Sequence, residues 1–107
     1  MKTLTLTIGH NVGNAPTHTS AHVVNAAADL LALDGLTAYE TRGMWRGMCE
    51  DSTRIEVSGI SASEAARIVA ALPALAYALH QEAIACEVRE DATQFVAAYA
   101  PNVAATA

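Results

Sequence analysis

Histidines near carboxylates are the first candidates for a catalytic role in this chain of 107 residues. His80 stands two positions before Glu82, and His10 and Glu50 fall near the ends of predicted strands. A histidine beside a carboxylate can take up and release a proton near neutral pH, as general acid–base catalysis requires. One hypothesis is therefore a small acid–base enzyme, such as an isomerase, that uses His10 or His80 together with Glu82.

A metal site is a second kind of chemistry that the histidines suggest. His18 and His22 are four positions apart, so they share one face of a helix. Zinc requires three or four converging ligands. The others would have to come from distant positions: His10, Cys49, His80 or Glu82. Because no second ligand pair at a familiar spacing accompanies His18 and His22, we predict no metal and keep these two as the candidate ligands if one binds.

The glycine-rich segment before the first helix is a candidate phosphate loop that lacks the expected pattern. Residues 9–14 read GHNVGN and follow a predicted strand, but they match neither G-x-G-x-x-G nor a P-loop. A helix N-terminus alone can still hold a small anion. We predict no cofactor.

The two cysteines, Cys49 and Cys86, are expected to be free thiols, since neither stands in a C-x-x-C pattern. Cys49 lies beside Glu50 and Asp51, whose negative charges are expected to disfavour a thiolate nucleophile. Cys86 alternates with apolar neighbours, so it is predicted to lie in the core.

Composition excludes several kinds of partner. Six Lys and Arg residues against eleven Asp and Glu residues do not make a basic surface for nucleic acid. No apolar run approaches the roughly 20 residues of a membrane span. The first residues lack the apolar segment and cleavage site of a signal peptide. Together with free thiols, these features lead us to expect a cytoplasmic protein.

The predicted elements that place these residues begin with a strand, a loop and a helix. Residues 3–8 alternate threonine with leucine or isoleucine, which is the period of a half-buried strand. Residues 9–16 are predicted to be a loop. A helix capped by Thr17 or Thr19 follows and ends at Gly35, which would supply the left-handed residue after the last turn.

The second half of the chain shows two more strands, a helix and a last strand. Strands are predicted at residues 36–45 and 53–58, with a turn at residues 47–52. Ser61 and Glu64 have the spacing of a capping box, and Pro73 is expected to divide the helix that follows into two pieces.

The order of elements predicts one α+β domain over residues 1–107. The succession β-α-β-β-α-β with two right-handed crossovers gives the ferredoxin-like split βαβ arrangement, an antiparallel sheet with strand order 4-1-3-2. Residues 2–90 form its core, with the fourth strand at residues 84–89. Residues 91–107 are a C-terminal extension, in which residues 91–99 are predicted to be a short helix or a fifth strand and the Ala-rich end has no pattern of its own.

One face of the predicted sheet is left open by the helices. It presents a row of mostly polar side chains: Thr3, Thr5, Thr7, Arg54, Glu56 and Glu87. We expect a homodimer that packs through this open sheet face. A solvated face, which antiparallel sheets tolerate, is the alternative.

Trp45, the only tryptophan, stands between Arg42-Gly43 and Arg46-Gly47. Either the glycines shape a bulge or hairpin and Trp45 packs over the sheet edge, or Trp45 and Arg46 form an aromatic and cationic patch for a ligand or partner.

Topology brings the unusual residues to one end of the sheet. Strands one and two end there, and strands three and four begin there. We therefore predict a ligand- or partner-binding surface built from His10, Asn11, Trp45, Arg46, Glu50, Gln81 and Glu82. The leading hypothesis is a small dimeric binding or regulatory domain. Alternatives are the acid–base enzyme and a protein-level inhibitor or adaptor from a phage or mobile element, which would bind a protein partner.

Short motifs resemble a group of small, uncharacterised bacterial proteins. Residues 34–37 read DGLT, residues 42–47 read RGMWRG, residues 50–52 read EDS and residues 81–84 read QEAI. The group carries D-G-x-T, R-G-x-W-x-G, E-x-S and G-Q-E-[AS]-[VI], so His80 stands where the group favours glycine. The resemblance implies the ferredoxin-like fold and assigns no activity, cofactor or catalytic residue.

Overall fold

A four-stranded antiparallel sheet with two helices packed on one face makes up the part of the chain that the structure describes, residues 1–96 of a computed structural model. The elements are β1 Lys2–Gly9, β2 Asn11–Val12, β3 Ala15–Pro16, α1 Ser20–Leu30, β4 Thr37–Trp45, β5 Met48–Ile60, α2 Ala62–Ala78 and β6 Ala85–Glu90. The sheet order is β4-β5-β1-β6. The two-residue strands β2 and β3 pair with each other as a separate small hairpin inside the segment predicted to be a loop.

Strand β1 lies between β5 and β6 and carries the centre of the core. Leu4, Leu6 and Ile8 are fully buried under the helices. Thr5 lies on the other face and is paired with Glu56 on one side and Glu87 on the other. The alternation of threonine with apolar residues thus separates the two faces of the sheet, as the period of two predicts.

The β4–β5 hairpin is longer than the sequence pattern predicts. Its turn is the two-residue segment Arg46–Gly47, where φ is +51° and +78°, so that Trp45 pairs directly with Met48. Positive φ at both central residues is the type I′ turn that matches the twist of paired strands. The prediction of a turn over residues 47–52 is therefore wrong.

Both helices end in a Schellman motif in which a residue other than glycine is left-handed. After α1, Ala32 has φ +50° and the amide of Leu33 donates to Ala28 O over 3.0 Å. The prediction that this helix runs to Gly35 is therefore wrong. After α2, His80 has φ +52° and the amide of Gln81 donates to Ala76 O over 2.9 Å.

Helix α2 is continuous through Pro73. Its start agrees with the predicted cap, because Ser61 Oγ accepts from the amide of Glu64 over 3.1 Å. The predicted division into two pieces is wrong. Proline removes a donor and disfavours a helix interior, but packing of Leu72 and Leu75 in the core keeps the two halves in line.

The edge strand β6 is exposed along its whole length. Cys86 is therefore exposed, and the prediction that it lies in the core is wrong. The helices reach across β1 and β5 but leave this edge uncovered.

The segment after β6, residues 91–96, is neither helix nor strand. The ring of Phe95 lies against Gly59. The remainder of the predicted extension lies outside the described residues. Within residues 1–96, no helix is both long and apolar enough to cross a membrane.

Candidate functional site

A cavity of about 420 Å³ lies at the end of the sheet where the sequence predicts a binding surface. Its walls come from the end of β1, the β2–β3 hairpin, the tip of the β4–β5 hairpin and the segment between α2 and β6. We call it the end pocket. Six of the seven predicted site residues line it: Asn11, Trp45, Arg46, Glu50, Gln81 and Glu82.

Trp45, Arg46 and Glu82 form one wall of the end pocket. The indole Nε1–H of Trp45 donates to Glu82 Oε2 over 3.4 Å, and Arg46 Nη2 lies 3.4 Å from the same oxygen. The Arg46 guanidinium carbon is 5.6 Å from the centroid of the Trp45 ring, within range of a cation–π contact. All three side chains are exposed, so the ion pair itself contributes only about 0–1 kcal/mol.

Glu50 is a half-buried residue of the pocket, and its carboxylate lies directly over Gly9. The backbone amide of Asn11 donates to Glu50 Oε2 over 3.1 Å. A Cβ atom at position 9 would lie 2.6 Å from each of the two carboxylate oxygens, so a residue other than glycine would displace the carboxylate from this position.

Gln81 joins the segment after α2 to the β2–β3 hairpin. Its Nε2 donates to Asn11 O over 2.8 Å and approaches Leu79 O at 3.3 Å. The neighbouring His80 also lines the pocket. The left-handed backbone at His80 turns the chain so that Gln81 and Glu82 follow it along the pocket wall.

His10 is placed away from the pocket, although it was predicted to belong to the site. It is 6% exposed, and its Nε2 lies 2.7 Å from Thr53 Oγ1, which also contacts Ser20 Oγ at 2.9 Å. Its carbonyl oxygen accepts from the amides of Thr17 and His18, over 3.0 and 2.9 Å. Since Thr53 and Glu50 are three positions apart on β5, they face opposite sides of the sheet. His10 thus holds the loop in place and does not meet Glu50.

The two candidate metal ligands, His18 and His22, stack with their ring centroids 5.3 Å apart. Nε2 of His18 donates to Leu79 O over 2.7 Å, so this nitrogen already has a partner. Across residues 1–96 there is no group of three or more His, Cys, Asp or Glu side chains that would suit a metal ion.

Comparison with known proteins yields structural neighbours but no sequence family. No protein-family model and no curated protein matches the chain. A phage SAM lyase in complex with S-methyl-5′-thioadenosine is similar, with a TM-score of 0.72 and 23% identity over 83% of this chain and 80% of that chain. The apo state of a phage SAM lyase has a TM-score of 0.66 and 21% identity over 92% and 91%. A DUF3240 family protein from Shewanella baltica OS155 has a TM-score of 0.58 and 17% identity over 91% and 97%. These likenesses show a shared fold.

Gly9 and Met48 are pocket residues that the sequence prediction did not include. A single signal would have found Met48. With the turn at Arg46–Gly47, the strand period of two places Met48, Glu50 and Ser52 on one face of β5, and all three line the pocket. Gly9 carries no comparable signal, because its role depends on a side chain that arrives from a distant strand.

Proposed function

We propose that this chain is a small-ligand-binding domain of the ferredoxin-like type, and that the end pocket binds an adenosine thioether or sulfonium. The ligand class comprises S-adenosylmethionine (SAM) and S-methyl-5′-thioadenosine. The observation that carries the proposal is the end pocket itself, in which an indole and two carboxylates converge on a cavity of about 420 Å³. The fold shared with a phage SAM lyase that holds S-methyl-5′-thioadenosine directs the choice of ligand.

The chemistry of the pocket suits a nucleoside. Ligand pockets of roughly 300–1,000 Å³ are typical for molecules of this size. The Trp45 ring offers a surface on which an adenine base can stack, a contact worth about 1–3 kcal/mol. A carboxylate can accept hydrogen bonds from the ribose hydroxyls, as in dinucleotide-binding sites. Glu82 retains Oε1 for this role, because its contacts with Trp45 and Arg46 use Oε2.

Calorimetric titration of the purified chain with S-methyl-5′-thioadenosine tests the proposal. We expect saturable one-site binding, and we expect Trp45→Ala to weaken it by roughly 5- to 150-fold, which corresponds to the loss of one stacking contact. Tyr77→Ala is the matched control, since Tyr77 is an aromatic residue of α2 that is 83% exposed and lies outside the pocket. Absence of binding to the unmodified chain at millimolar ligand would refute the proposal.

Cleavage of SAM is a second candidate function, favoured by the specific likeness to a phage SAM lyase over four-fifths of that chain. Of the two histidines in the acid–base hypothesis, His10 is buried and hydrogen-bonded away from the pocket, whereas His80 lines the pocket together with Glu82. Incubation with SAM followed by chromatography decides the point. Release of S-methyl-5′-thioadenosine that depends on the protein supports cleavage. If SAM stays bound and intact, only the binding function is supported.

A further inference from the structure

We infer that Glu50 makes the end pocket selective for a positively charged ligand, so that a sulfonium or ammonium nucleoside binds more tightly than its neutral counterpart. This inference rests on the proposed function, because it names the charge of the ligand that the same pocket would take.

The position of Glu50 is set by the backbone around it. The amide of Asn11 holds one carboxylate oxygen at 3.1 Å, and the missing side chain of Gly9 leaves the space that both oxygens occupy. Gln81 in turn holds the Asn11 carbonyl over 2.8 Å. A charge that is fixed in this way can discriminate between ligands without a large cost in side-chain entropy.

The charge balance of the pocket is uneven. Its charged and titratable side chains are Arg46, Glu50, His80 and Glu82. Arg46 lies 3.4 Å from Glu82, so these two neutralise each other. Among residues 1–96, no ion pair reaches Glu50, whose observed contact is one neutral amide.

A half-buried carboxylate without a counterion favours a ligand that supplies one. Removing such a group from water costs free energy unless charge or hydrogen bonds replace the solvent. A cationic centre near Glu50 provides this replacement, and hydrogen bonds between charged groups are stronger than those between neutral groups. The net charge of −5 of the whole chain adds to the attraction of cations. A neutral thioether at the same position makes van der Waals contacts but no charge–charge interaction with Glu50.

Two analogues that differ at the sulfur position test this inference. S-Adenosylhomocysteine is the neutral thioether with the same amino-acid chain, and sinefungin carries an amino group in place of the methylated sulfonium and cannot release a thioether. We expect the unmodified chain to bind sinefungin about tenfold more tightly than S-adenosylhomocysteine in calorimetry at pH 7. In Glu50→Gln this ratio should fall to about one, while the affinity for S-adenosylhomocysteine changes by less than about threefold.

Two further variants separate the position of the charge from its mere presence. Gly9→Ala keeps the net charge, but its Cβ would collide with the Glu50 carboxylate, so the preference for sinefungin should fall as in Glu50→Gln. The backbone at Gly9 does not have positive φ, so alanine fits the strand, and circular dichroism checks the fold. Glu40→Gln removes the same charge from the exposed β4 outside the pocket and should retain the tenfold ratio.

The outcomes distinguish this inference from the proposed function. If Glu50→Gln weakens both ligands equally, Glu50 recognises a feature they share, such as the ribose hydroxyls, and the inference is wrong while the binding function stands. If the preference survives in Glu50→Gln, the inference is also wrong. If the unmodified chain binds neither analogue nor S-methyl-5′-thioadenosine, the proposed function itself fails.

Discussion

Asp91 connects the segment after β6 to the first strand through its side chain. Thr3 Oγ1 donates to its carboxylate, and the amide of Thr93 donates to Asp91 Oδ1 over 2.8 Å. These hydrogen bonds, that of Thr3 first, lower the pKa of Asp91 from 3.8 to about 2. The charged form is therefore favoured in the folded protein.

Acid should weaken this connection in a defined pH window. Because the pKa is lower in the folded state, the stabilisation is fully present above about pH 4 and is lost as the pH falls through about 2. We expect Asp91→Asn to be less stable than the unmodified chain at pH 6, with the difference shrinking between pH 4 and pH 2. Thermal unfolding by circular dichroism across this range measures it.

Two threonine variants, one at the hydrogen-bond donor Thr3 and one at a control position, complete the test of Asp91. Thr3→Val removes the principal donor and should abolish the same pH-dependent difference. Thr7→Val makes the same change on the same face of β1, where no acidic partner is observed in the described residues, and should leave the pH dependence intact. A pH dependence of Asp91→Asn that parallels the unmodified chain down to pH 2 contradicts the argument.

The residue that follows the C-cap of helix α2, His80, has a backbone conformation that is unfavourable for residues other than glycine. His80 has φ +52° at the position after the C-cap, where glycine is the common choice. A residue other than glycine costs about 1–2 kcal/mol in the left-handed region.

Replacing His80 by glycine should therefore stabilise the fold. We expect His80→Gly to raise the free energy of unfolding by about 0.5–1 kcal/mol. The backbone strain that glycine relieves is larger than the entropic cost of ordering a more flexible residue. The matched control is Ala74→Gly, at an exposed position in the interior of α2, which should lower the free energy of unfolding by about 1 kcal/mol. Urea denaturation measures both. Destabilisation by His80→Gly would mean that the imidazole makes contacts that outweigh the backbone strain.

The elements themselves were largely predictable, and most of the errors concern where the elements end. The period of two in β1 and the cap at Ser61 are local signals, and both predictions are confirmed. The turn at Arg46–Gly47 was missed because Arg-Gly is not one of the strong type I′ pairs. The continuity of α2 through Pro73 was missed because core packing opposes the local effect of proline.

The open sheet face is the feature of the whole molecule that bears on self-association. It carries charges of alternating sign, with Arg54 and Glu56 on β5 and Glu87 and Arg89 on β6. A twofold axis can place the arginines of one copy opposite the glutamates of the other, which makes such a face self-complementary. We propose a homodimer through this face.

Light scattering with size-exclusion chromatography tests the dimer. We expect the chain to elute as a dimer at about 100 μM, and Glu87→Arg to raise the dimer dissociation constant at least tenfold, because it places like charges opposite each other. Glu40→Arg makes the same charge change on the helix side of the sheet and should leave the dimer intact. A monomeric unmodified chain at this concentration contradicts the proposal.

Several hypotheses at this scale stay predictions: a cytoplasmic location, membership of the bacterial group, and a role as an inhibitor or adaptor from a phage or mobile element. Each depends on partners or context outside the chain. Their tests are localisation in cells, the discovery of related sequences, and copurification of a protein partner.

Local periodicity and chain connectivity are enough to predict the strands, the N-terminal caps of the helices and the end of the sheet at which polar residues gather. The contacts that those residues make depend on how the chain packs. This packing buried His10 against Thr53, paired Glu82 with Arg46, and left Glu50 over Gly9 without a counterion. Such outcomes depend on distances between segments distant in sequence, and no spacing along the chain encodes which of two carboxylates meets the arginine.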